Sequence, residues 1–233
     1  MQKSFEAAVL VKLGEPLQLL ELKIPELKAG QILVKILYSG ICRSQLMEAR
    51  GLRGVDRWLP HLLGHEGSGI VVDVGPGVTK VKAEDQVILG WLKSDGLEAE
   101  GAKYEAKDGR IINSGRVTTF SNYAVVSESR VVLKPSTLSF DTAVLFGCAL
   151  PTGAGMVLNE LKPSKNNKVA VLGLGGIGLS ALIALKSIGV KTIIAIDTSD
   201  KKIDFAKSIG ISNAINPNAQ DVSQAIKDLT NGE

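Results

Sequence analysis

Two sets of residues in this sequence have types and spacings that suit chemistry, and the first is a run of glycines. Gly173-Leu174-Gly175-Gly176-Ile177-Gly178 fits the pattern G-x-G-x-x-G and stands between an apolar run and a helix-like segment. Glycines in that setting permit a tight turn, let the backbone approach a pyrophosphate and allow close packing of helix on strand. The following helix N-terminus supplies unpaired N–H groups and positive dipole. The run therefore predicts a dinucleotide-binding site.

A carboxylate beyond this run indicates which dinucleotide is bound. Asp197 follows the last glycine by 19 positions and stands at the C-terminal end of the next predicted strand. There it can accept hydrogen bonds from both ribose hydroxyls and would repel a 2′-phosphate, so NAD is favoured over NADP. Lys202, a further candidate cofactor-binding residue, and its neighbours could soften that preference. The alternatives are a glycine-rich turn in another α/β protein and a domain that holds S-adenosylmethionine.

The second set comprises both cysteines of the chain, Cys42 and Cys148, and one of its two histidines, His65. Cys42 follows a predicted strand, and Cys148 opens the approach to the second half of the chain. Two cysteines in a chain this long do not make a disulfide framework, so each is either a buried thiol or a ligand. His61, four residues before His65 in a predicted loop, we expect to be structural.

The first half of the chain has the pattern of a β domain that would position these residues. Short apolar or alternating runs bounded by turn residues predict many strands and a barrel-like arrangement. The segment from Leu92 to Val117 is polar, rich in glycine and without clear periodicity, so we expect a long surface excursion there. The predicted strands are Ala8–Val11, Ile32–Leu37, Gly69–Val74, Gln86–Leu89, Tyr123–Val126 and Val131–Leu133.

Beyond Asp141 the hydrophobic period lengthens from two toward 3.6, and strands then alternate with helices, as in a parallel α/β sheet. The segment from Ile177 to Ile188 is apolar nearly all round, as expected of a crossover helix packed under a sheet. Predicted strands are Val169–Leu172, Ile193–Ile196 and Ala214–Ile215, with helices carrying Ile203, Ala206 and Ile209 and then Val222, Ile226 and Leu229.

Composition limits the classes of partner. The chain has 233 residues, 45% of them hydrophobic, and a formal net charge of +3 whose charges are scattered along the sequence. This balance is that of a soluble globular protein and gives no reason to expect nucleic acid or an acidic membrane as partner. No apolar run approaches the roughly 20 residues that span a bilayer, and the N-terminal residues MQKSFEAAVL lack the long apolar stretch and small-residue cleavage site of a signal peptide, so we expect a cytoplasmic location.

Four motifs together resemble the zinc-dependent alcohol dehydrogenases of the medium-chain dehydrogenase/reductase type. In chain order they are Gly40-Ile41-Cys42-Arg43-Ser44, Gly64-His65-Glu66, Gly147-Cys148 with Thr152-Gly153, and the glycine run. The resemblance extends from about Ala8 to the C-terminus. It implies an N-terminal GroES-like β-barrel catalytic domain over 1–160, followed by a partial Rossmann domain, a doubly wound parallel sheet that binds NAD, over 161–233.

The resemblance also implies roles for individual residues. Cys42, His65 and Cys148 would be the ligands of one catalytic Zn²⁺, and two thiolates with one imidazole suit a tetrahedral zinc with an open fourth position. Glu66 would lie next to the metal, and the Ser44 hydroxyl would pass on the substrate proton. Arg43 would reach the cofactor pyrophosphate and Thr152 would lie near the nicotinamide. The implied reaction is hydride transfer between a small alcohol, or the matching aldehyde or ketone, and NAD.

The sequence departs from the family pattern at three places. Leu92 to Val117 contains none of the four cysteines that bind a structural zinc in some members, so we expect one zinc and an excursion held by packing and hydrogen bonds. Gln45 stands where the family usually has an acidic residue that supports the zinc histidine, and this change can alter the metal's electrophilicity. Met47 stands where some members place a relay histidine, so proton release needs another route.

Length is the fourth departure, because the chain ends after about half of a six-stranded dinucleotide domain. We expect a C-terminally incomplete chain whose parent completes the nicotinamide pocket and forms a homo-oligomer, and do not expect this polypeptide alone to be fully active. Two other functions stay open: a zinc-free NAD(P)H quinone or enone reductase of the same superfamily, and a non-catalytic nucleotide-binding fragment. Trp58 and Trp91 are candidates for lining a pocket for a bulky or aromatic alcohol, and a surface or core role stays open for both.

Overall fold

A computed structural model describes residues 4–232. The chain divides into two compact units, one ending at Cys148 and one beginning at Ala149. The domain ranges 1–160 and 161–233 stay a prediction.

The first unit is built mainly of β-strands. Its helices are α1 (Arg43–Ala49) and α2 (Phe140–Ala143), with 3₁₀ turns at Glu128–Arg130 and Val144–Gly147. Its strands are β1 (Ser4–Leu10), β2 (Gln18–Lys23), β3 (Gln31–Ser39), β4 (His61–Leu62), β5 (Gly67–Val74), β6 (Gln86–Leu89), β7 (Lys103–Glu105), β8 (Ile111–Asn113), β9 (Tyr123–Ser127) and β10 (Val131–Leu133).

These strands form two five-stranded sheets, in the orders β2-β1-β4-β8-β7 and β10-β6-β5-β3-β9. Neighbours are antiparallel except β4 and β8, which pair in parallel. Within residues 4–148 these ladders form two sheets rather than one closed ring, so the predicted barrel-like domain takes that form. Isolated bridges add links from Leu22 to Ala106, at the two ends of the first sheet, and from Ala7 to Ser121. Alternation along the strands buries one set of side chains in each sheet, as around Phe5 and Leu22 in the first and Ile32 and Val71 in the second.

The segment from Leu92 to Val117 is not only a surface excursion, and this part of the prediction was wrong. Its β7 and β8 pair as a hairpin that extends the first sheet. Tyr104 and Ile112 are completely buried there, and the Val125 N–H donates to the Tyr104 hydroxyl at 2.8 Å. The segment is thus held by packing and hydrogen bonds, as its lack of cysteine led us to expect.

The second unit carries a three-stranded parallel sheet in the order β11-β12-β13. Helix α3 opens the unit and continues into a π-helical segment, Met156–Leu161. The elements in chain order are α3 (Ala149–Gly155), β11 (Lys168–Leu172), α4 (Gly176–Ser187), β12 (Thr192–Ile196), α5 (Asp200–Ser208), β13 (Asn213–Ile215) and α6 (Val222–Thr230). The predicted alternation of strand and helix is confirmed.

Helices cover both faces of this sheet because successive residues of β12 point to opposite sides. Ile193 and Ala195 pack in a core with residues of α4 and α5, including Leu182 and Ile203. Ile194 and Ile196 face the other way, and Val222, Ala225 and Ile226 of α6 pack against that side together with Ile215. This two-sided cover is the arrangement predicted for a doubly wound sheet.

Among the described residues no single helix is long and apolar enough to cross a membrane. One pair of helices with a bend between them is long and apolar enough when taken together, by length and composition alone.

Candidate metal centre and dinucleotide site

Three side chains from separate segments of the first unit meet at one point. Cys42 is the residue before α1, His65 lies between β4 and β5, and Cys148 follows the 3₁₀ turn Val144–Gly147. The two Sγ atoms and a ring nitrogen of His65 all lie within 4.8 Å of one another. The structure therefore brings together the three residues that the resemblance implied as ligands.

The imidazole of His65 has a partner at each nitrogen. Its Nε2 lies 3.2 Å from the Cys148 Sγ, and its Nδ1 contacts the carboxamide of Gln45. Burial, and then the nearby charge of Arg53, lower the pKa of His65 below its ordinary value. A neutral imidazole is the form that can bind a metal, so this environment favours a ligand.

This set of donor atoms fits zinc. Two cysteine sulfurs and one histidine nitrogen are soft to borderline ligands of the kind that Zn²⁺ prefers, and three protein ligands leave a fourth tetrahedral position for another molecule. The cluster is only partly shielded, since Cys148 is buried while Cys42 and His65 are half-buried. A small molecule therefore has a way to approach this point.

Two polar side chains beside the cluster lie in the interior. Within residues 4–232 the Ser44 hydroxyl oxygen is buried and has no hydrogen-bond partner. An unpaired buried hydroxyl costs free energy, and such a group is commonly found where a ligand supplies the missing bond. Glu66 is 6% exposed, and burial raises the pKa of its carboxyl above the ordinary value.

Three polar side chains that no sequence pattern brought together, Glu48 of α1, Asp56 and His61, also meet in the first unit. His61 is buried, its Nδ1 lies 2.9 Å from the Leu62 carbonyl oxygen, and its Nε2 lies 2.8 Å from Asp56 Oδ2. Glu48 Oε1 is 3.9 Å from the same Nε2. The spacing of Glu48 and Asp56 in the sequence does not predict these contacts, because the path of a loop brings Asp56 back to His61. A histidine with oxygens at both nitrogens is held firmly in place. The ligand atoms of Glu48, Asp56 and His61 also lie within 4.8 Å of one another, so the structural role of His61 stays a prediction.

In the second unit, the glycine run forms the turn from β11 into α4. A Cβ added at Gly178 would stand 1.9 Å from the Gly173 carbonyl oxygen, so the chain passes too close for any side chain. A Cβ at Gly175, the residue before α4, would meet no atom within 4 Å. Protein packing therefore requires glycine at position 178. It leaves open space at position 175, where a pyrophosphate could approach the helix N-terminus.

Asp197 lies directly after β12, beside this turn. Its Oδ2 accepts a hydrogen bond from the Leu174 N–H at 2.7 Å, and its Oδ1 accepts one from the Ser199 N–H at 2.9 Å. The Leu174 amide first, then Ser199 and Lys202, lower the pKa of Asp197 despite its burial. The carboxylate is thus ionised and fixed next to the glycine turn. Its Oδ1 accepts one hydrogen bond and keeps a lone pair for a ribose hydroxyl, whereas Oδ2 already accepts from Leu174 and from the Lys202 ammonium.

The other predicted cofactor residues lie on helices of the two units. Lys202, on α5, places its Nζ 3.2 Å from Asp197 Oδ2 and so offsets part of the charge that disfavours NADP. Arg43 is the exposed first residue of α1, and Thr152 is half-buried on α3. Their roles toward a cofactor stay predictions.

Comparisons with known proteins assign the family. Residues 28–136 match the model of the alcohol dehydrogenase GroES-like domain, and residues 176–233 match that of the zinc-binding dehydrogenase domain. The S-(hydroxymethyl)glutathione dehydrogenase of Paracoccus denitrificans is 35% identical over 96% of this chain and 66% of its own length. The chain therefore belongs to the zinc-binding alcohol dehydrogenase family of medium-chain dehydrogenases, and the predicted GroES-like and Rossmann-type fold is confirmed.

Solved structures give the same picture. An alcohol dehydrogenase zinc-binding domain protein from Burkholderia ambifaria matches with a TM-score of 0.89 and 27% identity, over 98% of this chain and 68% of that one. The benzyl alcohol dehydrogenase of Acinetobacter calcoaceticus matches with a TM-score of 0.85 and 29% identity, over 99% of this chain and 68% of that one. The chain thus spans about two thirds of the length of the relatives that it matches.

Proposed function

We propose that the protein oxidises a small primary or secondary alcohol to the aldehyde or ketone, with NAD⁺ as hydride acceptor and one catalytic zinc. The observation that carries the proposal is the convergence of the Cys42, His65 and Cys148 donor atoms within 4.8 Å. Membership of a family of zinc-binding dehydrogenases supports it, as does the carboxylate of Asp197 beside the glycine turn.

In this reaction the alcohol loses a hydride from carbon and a proton from oxygen, and NAD⁺ becomes NADH. When bound, zinc supplies a Lewis acid for the substrate oxygen and NAD⁺ supplies the hydride acceptor. Cys42, His65 and Cys148 would hold the metal. The Ser44 hydroxyl, buried and without a protein partner among residues 4–232, would accept the hydroxyl proton of the substrate and pass it outward.

The remaining assignments follow from the same proposal. Asp197 would bind the ribose hydroxyls, the α4 N-terminus at Gly176, Ile177 and Gly178 would face the pyrophosphate, and Lys202, Arg43 and Thr152 would add cofactor contacts. Glu66 would place a carboxyl group next to the metal and so influence the electrostatic potential there. The 1–160 range would bear the chemistry and 161–233 would bind NAD. Ligand thiolates need a reducing compartment, which supports a cytoplasmic location.

Metal content of the purified chain, measured by elemental analysis, tests this proposal. We expect about one zinc per chain, lost in Cys42→Ser and in Cys148→Ser and kept in the matched control His61→Gln, which removes a histidine outside the cluster. Well-folded protein without zinc would contradict the proposal and favour the alternative function, a zinc-free reductase. NADH formation from a panel of primary and secondary alcohols then tests turnover, and its detection would exclude the non-catalytic alternative.

A further inference from the structure

The side chain of Gln45 joins two of the three candidate zinc ligands. Gln45 is 5% exposed, and its Oε1 accepts a hydrogen bond from the Cys42 backbone N–H at 3.1 Å. The other end of the same carboxamide, Nε2, contacts Nδ1 of His65. One neutral group thus spans the backbone of one ligand and the ring of another.

The position of Gln45 on its helix fixes this bridge. It is the third residue of α1, and its side chain reaches back to the backbone N–H of Cys42, the residue that caps the helix. This is the second half of a capping box, and it satisfies one of the unpaired N–H groups at a helix start. Because the carboxamide is buried and hydrogen-bonded to the N-cap residue, it stays beside His65. Its replacement there by water would cost free energy.

The hydrogen-bond pattern of this arrangement specifies a tautomer of His65. The Gln45 NH₂ group is a donor only, so Nδ1 of the ring must present its lone pair to it. A neutral ring then carries its proton on Nε2, which lies 3.2 Å from the Cys148 Sγ and can donate to that sulfur. This tautomer stabilises the cluster without a metal, but the nitrogen that faces the other ligands is protonated.

A metal at the cluster demands the opposite pattern. Nε2 must then offer its lone pair, so the proton moves to Nδ1, and a metal-bound histidine normally donates that proton to an oxygen. The site would contain two donors facing residue 45, the Cys42 N–H and the His65 Nδ1–H. A carboxamide has one acceptor end and one donor end, so whichever way it is turned, one of these donors faces an NH₂ group.

We infer that Gln45 is a positioning residue that weakens metal binding at this cluster, and that metal loading turns its carboxamide so that Oε1 passes from Cys42 to His65. The inference rests on the proposed function, since it takes the cluster to be a zinc site. Two oxygens at this position would remove the conflict, because one could accept from Cys42 and the other from His65. Gln45→Glu supplies them at the same side-chain length.

The test compares zinc affinity of the wild-type chain and Gln45→Glu by competition with a chromophoric chelator. We expect Gln45→Glu to bind zinc about 10- to 100-fold more tightly, the range in which outer partners of metal ligands act. Leu46→Glu is the matched control, because it adds the same charge one residue further along α1 on a side chain that is 44% exposed. Equal tightening in both variants would mean charge alone and would overturn the inference.

Nitrogen-15 NMR of the histidine rings gives a second readout, which a merely structural role would not move. In wild type we expect the proton of His65 on Nε2 without metal and on Nδ1 with zinc; in Gln45→Glu we expect it on Nδ1 in both forms. His61→Gln identifies the signals, since the chain has two histidines. If wild type binds one zinc, and Gln45→Glu has the same zinc affinity and the same His65 tautomer as wild type, this inference is overturned and the proposed function is not. Folded wild type that binds no zinc would overturn the proposed function as well.

Discussion

The carboxylate of Glu128 accepts a hydrogen bond from the backbone N–H of Leu97, with 2.6 Å between Oε2 and N. Its other oxygen accepts from the N–H groups of Thr79 and Lys80 at 2.7 and 2.8 Å. Glu128 is 1% exposed, so these bonds form in the interior. One buried carboxylate thus fastens the start of the Leu92–Val117 segment and a neighbouring loop, in a stretch that has no cysteine.

Replacing this carboxylate should destabilise the first unit. Glu128→Gln keeps the size of the side chain but puts an NH₂ group against backbone N–H donors, which leaves at least one of them unpaired. We expect a loss of about 1–3 kcal/mol in the free energy of unfolding, the usual cost of an unsatisfied buried group. Urea denaturation measures it. Glu26→Gln, the same change at an exposed glutamate, should alter stability by less than about 0.5 kcal/mol, and equal effects in the two variants would contradict the fastening role.

The same residue predicts part of the acid sensitivity. Burial alone would raise the pKa of Glu128, but the N–H groups of Leu97, Lys80 and Thr79 and the Lys80 ammonium together lower it below its ordinary value of 4.5. A lowered folded-state pKa contributes stability above the unfolded value, and this stability is lost as the pH falls through the folded value. We expect wild type to lose more unfolding free energy than Glu128→Gln between about pH 6 and pH 3. Parallel pH profiles of the two proteins would show that the assigned shift is wrong.

Much of the fold could be predicted because most elements carry their periodicity in the sequence. The largely apolar runs Ile32–Leu37 and Ile193–Ile196 were enough to predict β3 and β12. Strands β7 and β8 were missed because each is short and contains polar residues, whereas the equally short β10 was predicted from its three apolar residues. Tyr104 is flanked by Lys103 and Glu105, and only its pairing partner across the hairpin reveals that it faces the core.

The candidate site divides in the same way. The ligand set and the glycine turn could be predicted from motifs, since each motif fixes several residues in one local geometry. The bridge from Gln45 to Cys42 is local as well, because a side chain three residues into a helix can reach its cap. Contacts that depend on loop paths could not be predicted: Asp56 meets His61, and Glu128 meets Leu97, through turns that no short pattern specifies.

Two glycines of the turn should respond oppositely to alanine. Gly178→Ala would place a Cβ 1.9 Å from the Gly173 carbonyl, so we expect a loss of at least about 2 kcal/mol of stability in the second unit. Gly175→Ala meets open space, so we expect a loss of no more than about 1 kcal/mol, which reflects the preference of the N-cap position for Gly over Ala. Its methyl group should nevertheless reduce NADH affinity, because it occupies the expected approach of the pyrophosphate. Thermal unfolding and NADH fluorescence titration measure the two effects. Unchanged NADH affinity in folded Gly175→Ala would mean that the pyrophosphate does not bind at this turn.

Asp197 should set the preference between the two dinucleotides. Asp197→Asn keeps one oxygen for the Leu174 N–H but removes the charge that would bind ribose hydroxyls and repel a 2′-phosphate. We expect NADH affinity to fall about tenfold, in keeping with the loss of a charge-assisted hydrogen bond, and NADPH affinity to rise. Lys202→Gln is the companion variant: removing this cation should sharpen the preference for NADH. Dissociation constants for both dinucleotides check this, and a fall in both affinities alike would point to a structural role for Asp197.

Ser44 should show a conflict between stability and activity. Its buried hydroxyl has no hydrogen-bond partner within residues 4–232, so the folded protein bears a desolvation cost that Ser44→Ala removes. We expect Ser44→Ala to be as stable as wild type or more stable, and to lose alcohol oxidation by about 10²- to 10⁴-fold, the usual size of a proton-transfer contribution. Ser44→Thr restores a hydroxyl and should recover part of the rate. Thermal unfolding and NADH formation, measured on the same zinc-loaded samples, separate the two effects. Because an ordinary structural hydroxyl stabilises the fold through its hydrogen bond, a clear loss of stability in Ser44→Ala would argue against a role in proton transfer.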